Sequence, residues 1–358
     1  MSNVSRGRLG CSLTTSLIIL FRYINIWGLI SVQQRYMLLP IILFVFTFNI
    51  VMKPMSKYVA SRMVIVGCFG LLDFYISGEI DILIYLVLAL LYLSFDDVYG
   101  LIKDYTRISL FFFITTIILS YLHIVDSHDA VRMVDGVLIN RSSLGFTNVN
   151  HVFSFFISIV LGIYIINEYK SKIKVASIIL IASTLLYMVT NCRTGFFSVL
   201  VLVVLMFFED FVFEKGNRIG YVLFILFTIL SFAIGILWGS TPYNAVNEML
   251  TNRPFAWFTH ISSFPLSILG NPTAKVDNTY LWLIYRHGLI IYLFYLFMSI
   301  RSQRFFRNNK RLFISFVIIS MYGIFENLLN YAFNVVFIMQ IMVLLDKKLG
   351  LEEKNNYE

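Results

Sequence analysis

Residues 219–238, IGYVLFILFTILSFAIGILW, hold no charged side chain, and Lys215 and Arg218 stand just before them. A helix needs about 20 apolar residues to cross the hydrocarbon of a bilayer, and this stretch meets that length. Basic residues at one end fit the rule that cytoplasmic loops carry the excess of lysine and arginine. Eleven further apolar stretches, at 13–31, 37–52, 63–78, 80–95, 108–125, 152–167, 174–190, 196–213, 280–299, 312–328 and 331–346, repeat the pattern. With the N-terminus in the cytoplasm, 20 of the 28 basic residues fall in alternate gaps: Arg6, Arg8, Lys53, Lys57, Arg62, Lys103, Arg107, Lys170, Lys172, Lys174, Lys215, Arg218, Arg301, Arg304, Arg307, Lys310, Arg311, Lys347, Lys348 and Lys354. Arg22 and Arg286 lie within spans, which leaves Arg35, Arg132, Arg141, Arg193, Arg253 and Lys275 facing out. The expected architecture is an all-α polytopic integral membrane protein of about twelve transmembrane helices, one membrane domain over residues 1–358, with both termini cytoplasmic.

Composition agrees with this threading. The mean hydropathy is +0.81, with 59% hydrophobic and 13% charged residues, against about 25% charge in soluble chains. The net charge of +8 is explained by cytoplasmic loops meeting anionic membrane lipid, so no nucleic-acid partner is expected. The first apolar stretch follows Arg6 and Arg8 but has no small-residue cleavage site and reads as a span. Cys11, Cys68 and Cys192 are spread over different depths, and the five histidines are scattered singly. That pattern suggests no disulfide, no metal and no cofactor.

Two outward segments exceed the short turns elsewhere: 126–150, and 239–278 between the ninth and tenth spans. The second holds Pro242, Pro254, Pro265 and Pro272, four of the six prolines, which argues for a shaped loop. Within it, Met249, Leu250, Phe255, Phe258 and Ile261 recur at helical spacing and predict short helices on the membrane surface.

The outward exceptions to the charge rule are the candidate functional residues. Arg141, Gly145, Asn148 and Asn150 could hold a hydroxylated or phosphorylated group, or could form a polar helix cap with a snorkelling arginine. Arg193, in the Asn191-Cys192-Arg193-Thr194-Gly195 turn, suits bidentate contact with phosphate oxygens, from a substrate or from lipid. Asp277 and Asn278 stand at the opening of the tenth span, where they are good helix caps or ligands. Arg286 and His287 lie inside that span, where ionisable groups are functional candidates by default. Glu326 in the eleventh span is read in the same way, while Arg22 and Asp73 could pair within the bundle. Trp27, Trp238, Trp257 and Trp282 all fall near the outer face, as in an interfacial aromatic belt.

This ordered set resembles the bacterial O-antigen polymerase and ligase family, that is, Wzy-type polysaccharide polymerases and their ligase relatives. The likeness covers roughly residues 140–335 and rests on Arg141…Gly145-Phe146-Thr147-Asn148-Val149-Asn150, Asn191–Gly195, Leu250-Thr251-Asn252-Arg253 before Trp257, Asp277-Asn278-Thr279-Tyr280-Leu281 with Gly288, and Glu326. It implies a GT-C-like helical bundle in the bacterial plasma membrane. The implied reaction transfers a glycan from undecaprenyl pyrophosphate to a sugar hydroxyl at the outer face. Lipid-linked glycans are then the substrate, with chain-length regulator and flippase proteins as partners. The resemblance implies Asp277, Arg253, His260 and Glu248 as catalytic candidates, with His287 a further rival as base. Arg141, Asn148, Asn150, Arg193, Asn278, Tyr280, Arg286, His287 and Glu326 are implied to bind substrate or pyrophosphate. In the ligase branch a histidine precedes the motif's asparagine; Asp277 occupies that place here, which favours polymerisation. A ligase and a flippase of the same glycolipid are the alternatives, and the chain shows no two similar halves of the kind many transporters carry.

Overall fold

The computed structural model describes residues 3–29, 37–51, 56–93, 98–134, 137–167, 171–216, 218–242, 244–306, 308–328 and 334–346. Arg35, Lys53, Lys170, Arg307, Lys347, Lys348 and Lys354 of the charge pattern lie outside these residues, as does the polar end from Glu352. Each predicted span overlaps at least one helix among the described residues. These are α1 (Asn3–Trp27), α2 (Leu38–Val51), α3 (Lys57–Ser77), α4 (Asp81–Leu93), α5 (Val98–Tyr121), α6 (Val149–Ile166), α7 (Lys172–Thr190), α8 (Arg193–Phe207), α9 (Glu209–Gly216), α10 (Gly220–Gly239), α14 (Gly288–Phe306), α15 (Lys310–Tyr322) and α16 (Val335–Leu345). The connection between α10 and α14 adds α11 (Ala245–Met249), α12 (Arg253–Ser263) and α13 (Thr279–Trp282).

The count of twelve is not reached. Among the described residues six helices are long and apolar enough to cross a membrane: Leu9–Trp27, Lys57–Ser77, Val149–Ile166, Lys172–Thr190, Gly220–Gly239 and Thr279–Phe306. A seventh would be α8 with α9, which meet at 90°. Among the described residues α4 and α15 have 13 residues each and α16 has 11, short of the ~30 Å of hydrocarbon at about 1.5 Å per residue, whereas α5 has 24 residues but carries Lys103, Asp104 and Arg107. The described residues are mainly helical, as expected, with a short hairpin besides. In the 126–150 segment, Ala130–Val134 (β1) and Val137–Arg141 (β2) pair antiparallel, from Ala130 opposite Arg141 to Val134 opposite Val137.

The chain divides into two compact units. One comprises residues 1–56, 87–207 and 331–339. In it α1 packs on α2 and α5, α5 on α6, and α6 on α7 and α8. Small residues set the approach: a Cβ on Gly162 would strike Thr106, and one on Gly195 would strike Phe153. Close backbone contact of this kind supplies packing where lipid offers no hydrophobic drive between helices. Its aromatic core joins Tyr23, Phe113, Phe146 and Phe155, with Tyr23 and Phe155 5.2 Å apart and Phe113 and Phe146 5.3 Å apart.

The other unit comprises residues 57–86, 208–330 and 340–358. Here α10 is the hub, packing on α12, α14 and α15. Gly235 and Gly239 of α10 let α12 lie close, since a Cβ on Gly239 would enter the backbone of Pro254. Pro254 does not interrupt a helix. It sits in the first turn of α12, where a missing N–H costs nothing. Thr251 and Asn252, both at φ 61°, turn the chain between α11 and α12.

Candidate functional site

The second unit gathers Arg253, Asn278, Arg286, His287 and Glu326 of the residues that sequence reasoning set apart, and a defect in the longest apolar helix lies among them. Between α13 and α14 the backbone makes one π-turn, Leu283–His287, which ends at Gly288 with φ 87°. In an unbroken α-helix the Leu289 N–H would donate to the Tyr285 carbonyl, four residues back. Instead Leu289 N donates to Ser267 O at 3.1 Å, and Tyr285 O accepts from Asn271 N at 2.8 Å. Ile290 N reaches Ile268 O at 3.4 Å. The loop 267–271 is therefore laid into the opened helix and satisfies the groups that the π-turn frees. Backbone irregularity at membrane depth requires such partners, and π-bulges often mark functional sites.

Side chains close the same junction. Arg286 donates from Nε to Glu79 Oε1 at 2.9 Å, from Nη2 to the Ser77 carbonyl at 3.0 Å, and from Nη1 to the Pro272 carbonyl. Its guanidinium lies 4.7 Å from the centre of the Trp282 ring. His287 meets Asp73 through Nδ1. At Nε2 it lies 2.6 Å from Trp282 Nε1 and 3.4 Å from Glu79 Oε2. Glu79 stands in the turn between α3 and α4; burial pushes its carboxyl up, but His287 and Arg286 outweigh burial and hold it below the usual range. Asp73, read as a residue that could pair within the bundle, does so with His287. Glu79 and Trp282 were not singled out as members of a polar site. Their partners lie 207 and 5 residues away in sequence, and the nearer pair meets only across the π-turn.

A second cluster unites three of the motifs. Arg253, at the start of α12, pairs with Glu326, and both are buried. Thr279 Oγ1 donates to the Glu326 carbonyl at 2.8 Å and accepts from Leu328 N at 3.1 Å. Asn278 caps α13, its Oδ1 accepting from Tyr280 N and Leu281 N at 3.0 Å each. Its Nδ2 donates to Ser231 Oγ at 3.0 Å and to the Ile324 carbonyl at 2.7 Å. Tyr280 is buried and donates to the Ser320 carbonyl at 2.7 Å. Asn278 thus does the capping, and the neighbouring Asp277 is exposed, with no hydrogen bond or ion pair among the described residues.

His260 is buried, with its ring 4.8 Å from Phe264 and 5.1 Å from Tyr285. Its Nε2 has no partner, and burial pushes the imidazole down to about 4, so it is neutral at pH 7. Glu248 is exposed on α11. Trp257 and Trp282 are packed inside, which removes both from the interfacial belt, while Trp238 stays exposed.

In the first unit Arg141, at the end of β2, donates from Nε to the Thr190 carbonyl at 3.0 Å and from Nη2 to Asn150 Oδ1 at 3.0 Å. Cys192 Sγ lies 3.7 Å from the same Asn150 oxygen. Asn148 is exposed and caps α6, accepting from Asn150 N at 2.9 Å. Asn191, in the left-handed conformation at φ 48°, ends α7, and Arg193 opens α8 with its side chain exposed. The Arg141–Asn150 and Asn191–Gly195 motifs therefore adjoin in this unit, whereas Arg253 belongs to the other.

Among the described residues no group of three His, Cys, Asp or Glu side chains is arranged to hold a metal ion. Compared with family models, curated proteins and solved structures, the chain finds no match in any of the three.

Proposed function

We propose that this chain is a membrane glycosyltransferase, a polysaccharide polymerase that joins lipid-pyrophosphate-linked glycan repeat units. The observation that carries the reading is the convergence of Arg253, Asn278, Thr279 and Glu326, drawn from three separate stretches of the resemblance, on one buried hydrogen-bonded cluster. In this reading the shorter apolar helices cross a locally thinned bilayer and complete a GT-C-type bundle of about twelve crossings in the bacterial plasma membrane. Both termini are cytoplasmic and residues 239–278 face outward.

The acceptor hydroxyl oxygen attacks the anomeric carbon of the donor glycan. The new C–O bond forms as the bond to the pyrophosphate oxygen breaks, and the lipid pyrophosphate leaves with the electron pair. Asp277 takes the hydroxyl proton, since its carboxylate is exposed and is not consumed by capping. Arg253 acts as a positioning residue, because its charge is already matched by Glu326.

The test is the purified full chain in nanodiscs, given lipid-linked repeat units. A ladder of longer glycans is the expected product. Relocation of the glycolipid without elongation identifies a flippase, and a single transfer to another acceptor a ligase; either outcome overturns the reading. Asp277→Asn keeps shape and hydrogen bonding but removes the proton acceptor, so chain extension should slow by about 10²–10⁴-fold. A fully active Asn variant removes Asp277 from the mechanism.

A further inference from the structure

We infer that His287 is a proton-binding site whose occupancy sets the state of the π-turn. Two neighbours of one imidazole nitrogen make opposite demands on it. Trp282 Nε1 carries a hydrogen and can only donate, so at 2.6 Å from His287 Nε2 it requires that nitrogen to be bare. Glu79 Oε2, 3.4 Å from the same nitrogen, can only accept when ionised and requires it to carry a proton. The two bonds exclude each other. On the other side of the ring, Nδ1 meets Asp73 and keeps its hydrogen in both states.

Charge and geometry favour opposite states. Asp73 and Glu79 oppose the single guanidinium of Arg286 around this ring. The phenol of Tyr295 faces Asp73, Glu79, Asp81 and Tyr85. With His287 neutral, the carboxylates outnumber the cation in a setting of low dielectric, and an added proton reduces that excess. The hydrogen bond from Trp282 holds the neutral form against that pull. The Trp282–His287 bond also ties together the two ends of the π-turn, five residues apart. When a proton from solvent, entering by way of the partly exposed Glu79, settles on Nε2, the new N–H turns to Glu79 and the indole N–H is released. The tie across the π-turn is then lost, and the loop 267–271, hydrogen-bonded to Tyr285, Leu289 and Ile290, is loosened with it. The site takes a proton and returns a change in the long loop, whatever reaction that loop serves.

The experiment uses the full chain in nanodiscs, labelled with ¹⁵N-histidine and fluorotryptophan, and titrated from about pH 9 to about pH 5, the range in which histidine changes charge. The Trp282 resonance is assigned by its loss in Trp282→Phe. The expected result is one reversible step in which His287 Nε2 protonates and the Trp282 signal shifts at the same pH, with faster amide exchange at Leu289 and Asn271 below the step. In His287→Gln, whose carbonyl still accepts the indole N–H, the Trp282 step should vanish. In Glu79→Gln it should move to lower pH. A Trp282 signal that ignores His287 protonation, or a step that survives in His287→Gln, overturns the inference. If Trp282→Phe does not fold, the imidazole nitrogen signal and the His287→Gln comparison decide alone.

Discussion

Arg253 and Glu326 bring opposite charges together from 73 positions apart and bury them. Removing one partner of such a pair leaves an unpaired charge and typically costs about 3–5 kcal/mol, whereas replacing both with apolar side chains of similar volume is often neutral. Arg253→Met should therefore lower the melting temperature of the nanodisc-held protein clearly, and Arg253→Met with Glu326→Leu should restore most of the loss. A double variant that melts no higher than Arg253→Met would mean the pair does not act as a unit. Glu79 gives a pH dependence at the same scale. His287 and Arg286 hold its carboxyl below the ordinary value of 4.5 despite the opposing pull of burial. Its contribution to stability is thus present above pH 4.5 and is lost as pH falls through the lowered folded-state value. Melting curves between pH 6 and pH 3 should show this loss, and Glu79→Gln should flatten it. Sequence reasoning reached Arg286, His287 and Glu326 because ionisable groups in apolar stretches stand out locally. It passed over Glu79 because nothing local separates a charged turn residue from a buried ligand of Arg286.

The helix that carries these residues is defined by where it fails. Gly270 at φ 72° and Gly288 at φ 87° face each other across the junction, and a Cβ on Gly270 would lie 2.6 Å from the Gly288 nitrogen. A side chain at either position meets both a disfavoured conformation, worth about 1–3 kcal/mol, and a backbone that cannot yield. Gly270→Ala and Gly288→Ala should each lower the melting temperature and speed amide exchange at Leu289, whereas Gly67→Ala, with its nearest neighbour at 3.8 Å, should do neither. The sequence reading placed helices well, because an uninterrupted apolar run leaves the backbone no other partner in lipid. It missed the hairpin β1–β2. Its signal was the Asp135-Gly136 pair between Ala130–Val134 and Val137–Arg141, a strong two-residue hairpin cue. It also could not see the π-turn, since the residues that complete it, Ser267 to Asn271, belong to a loop whose main-chain groups carry no sequence signature.

At the scale of the whole molecule, the threading of the chain through the membrane is the claim on which the outward loop depends. Among the described residues six helices, or seven with the bent pair, have the length and hydropathy to cross. The twelve crossings of the proposed function would put 239–278 outside, because 20 of 28 basic residues would then face the cytoplasm. A cysteine at Gly270 would test this poorly, since any side chain there strains the junction. Thr273 is exposed in the same loop and donates only to Asn271, so Thr273→Cys should leave the fold intact. The background carries Cys68→Ser, which removes the exposed native thiol; Cys11 and Cys192 are buried. On intact spheroplasts a membrane-impermeant maleimide should label Thr273→Cys fully. Arg304→Cys, on the exposed side of the last turns of α14, should react only after permeabilisation. The reverse pattern would invert the whole molecule. It would place Asp277 and the loop that enters the π-turn in the cytoplasm, and a polymerase of outward-facing lipid-linked glycans would then be ruled out with them.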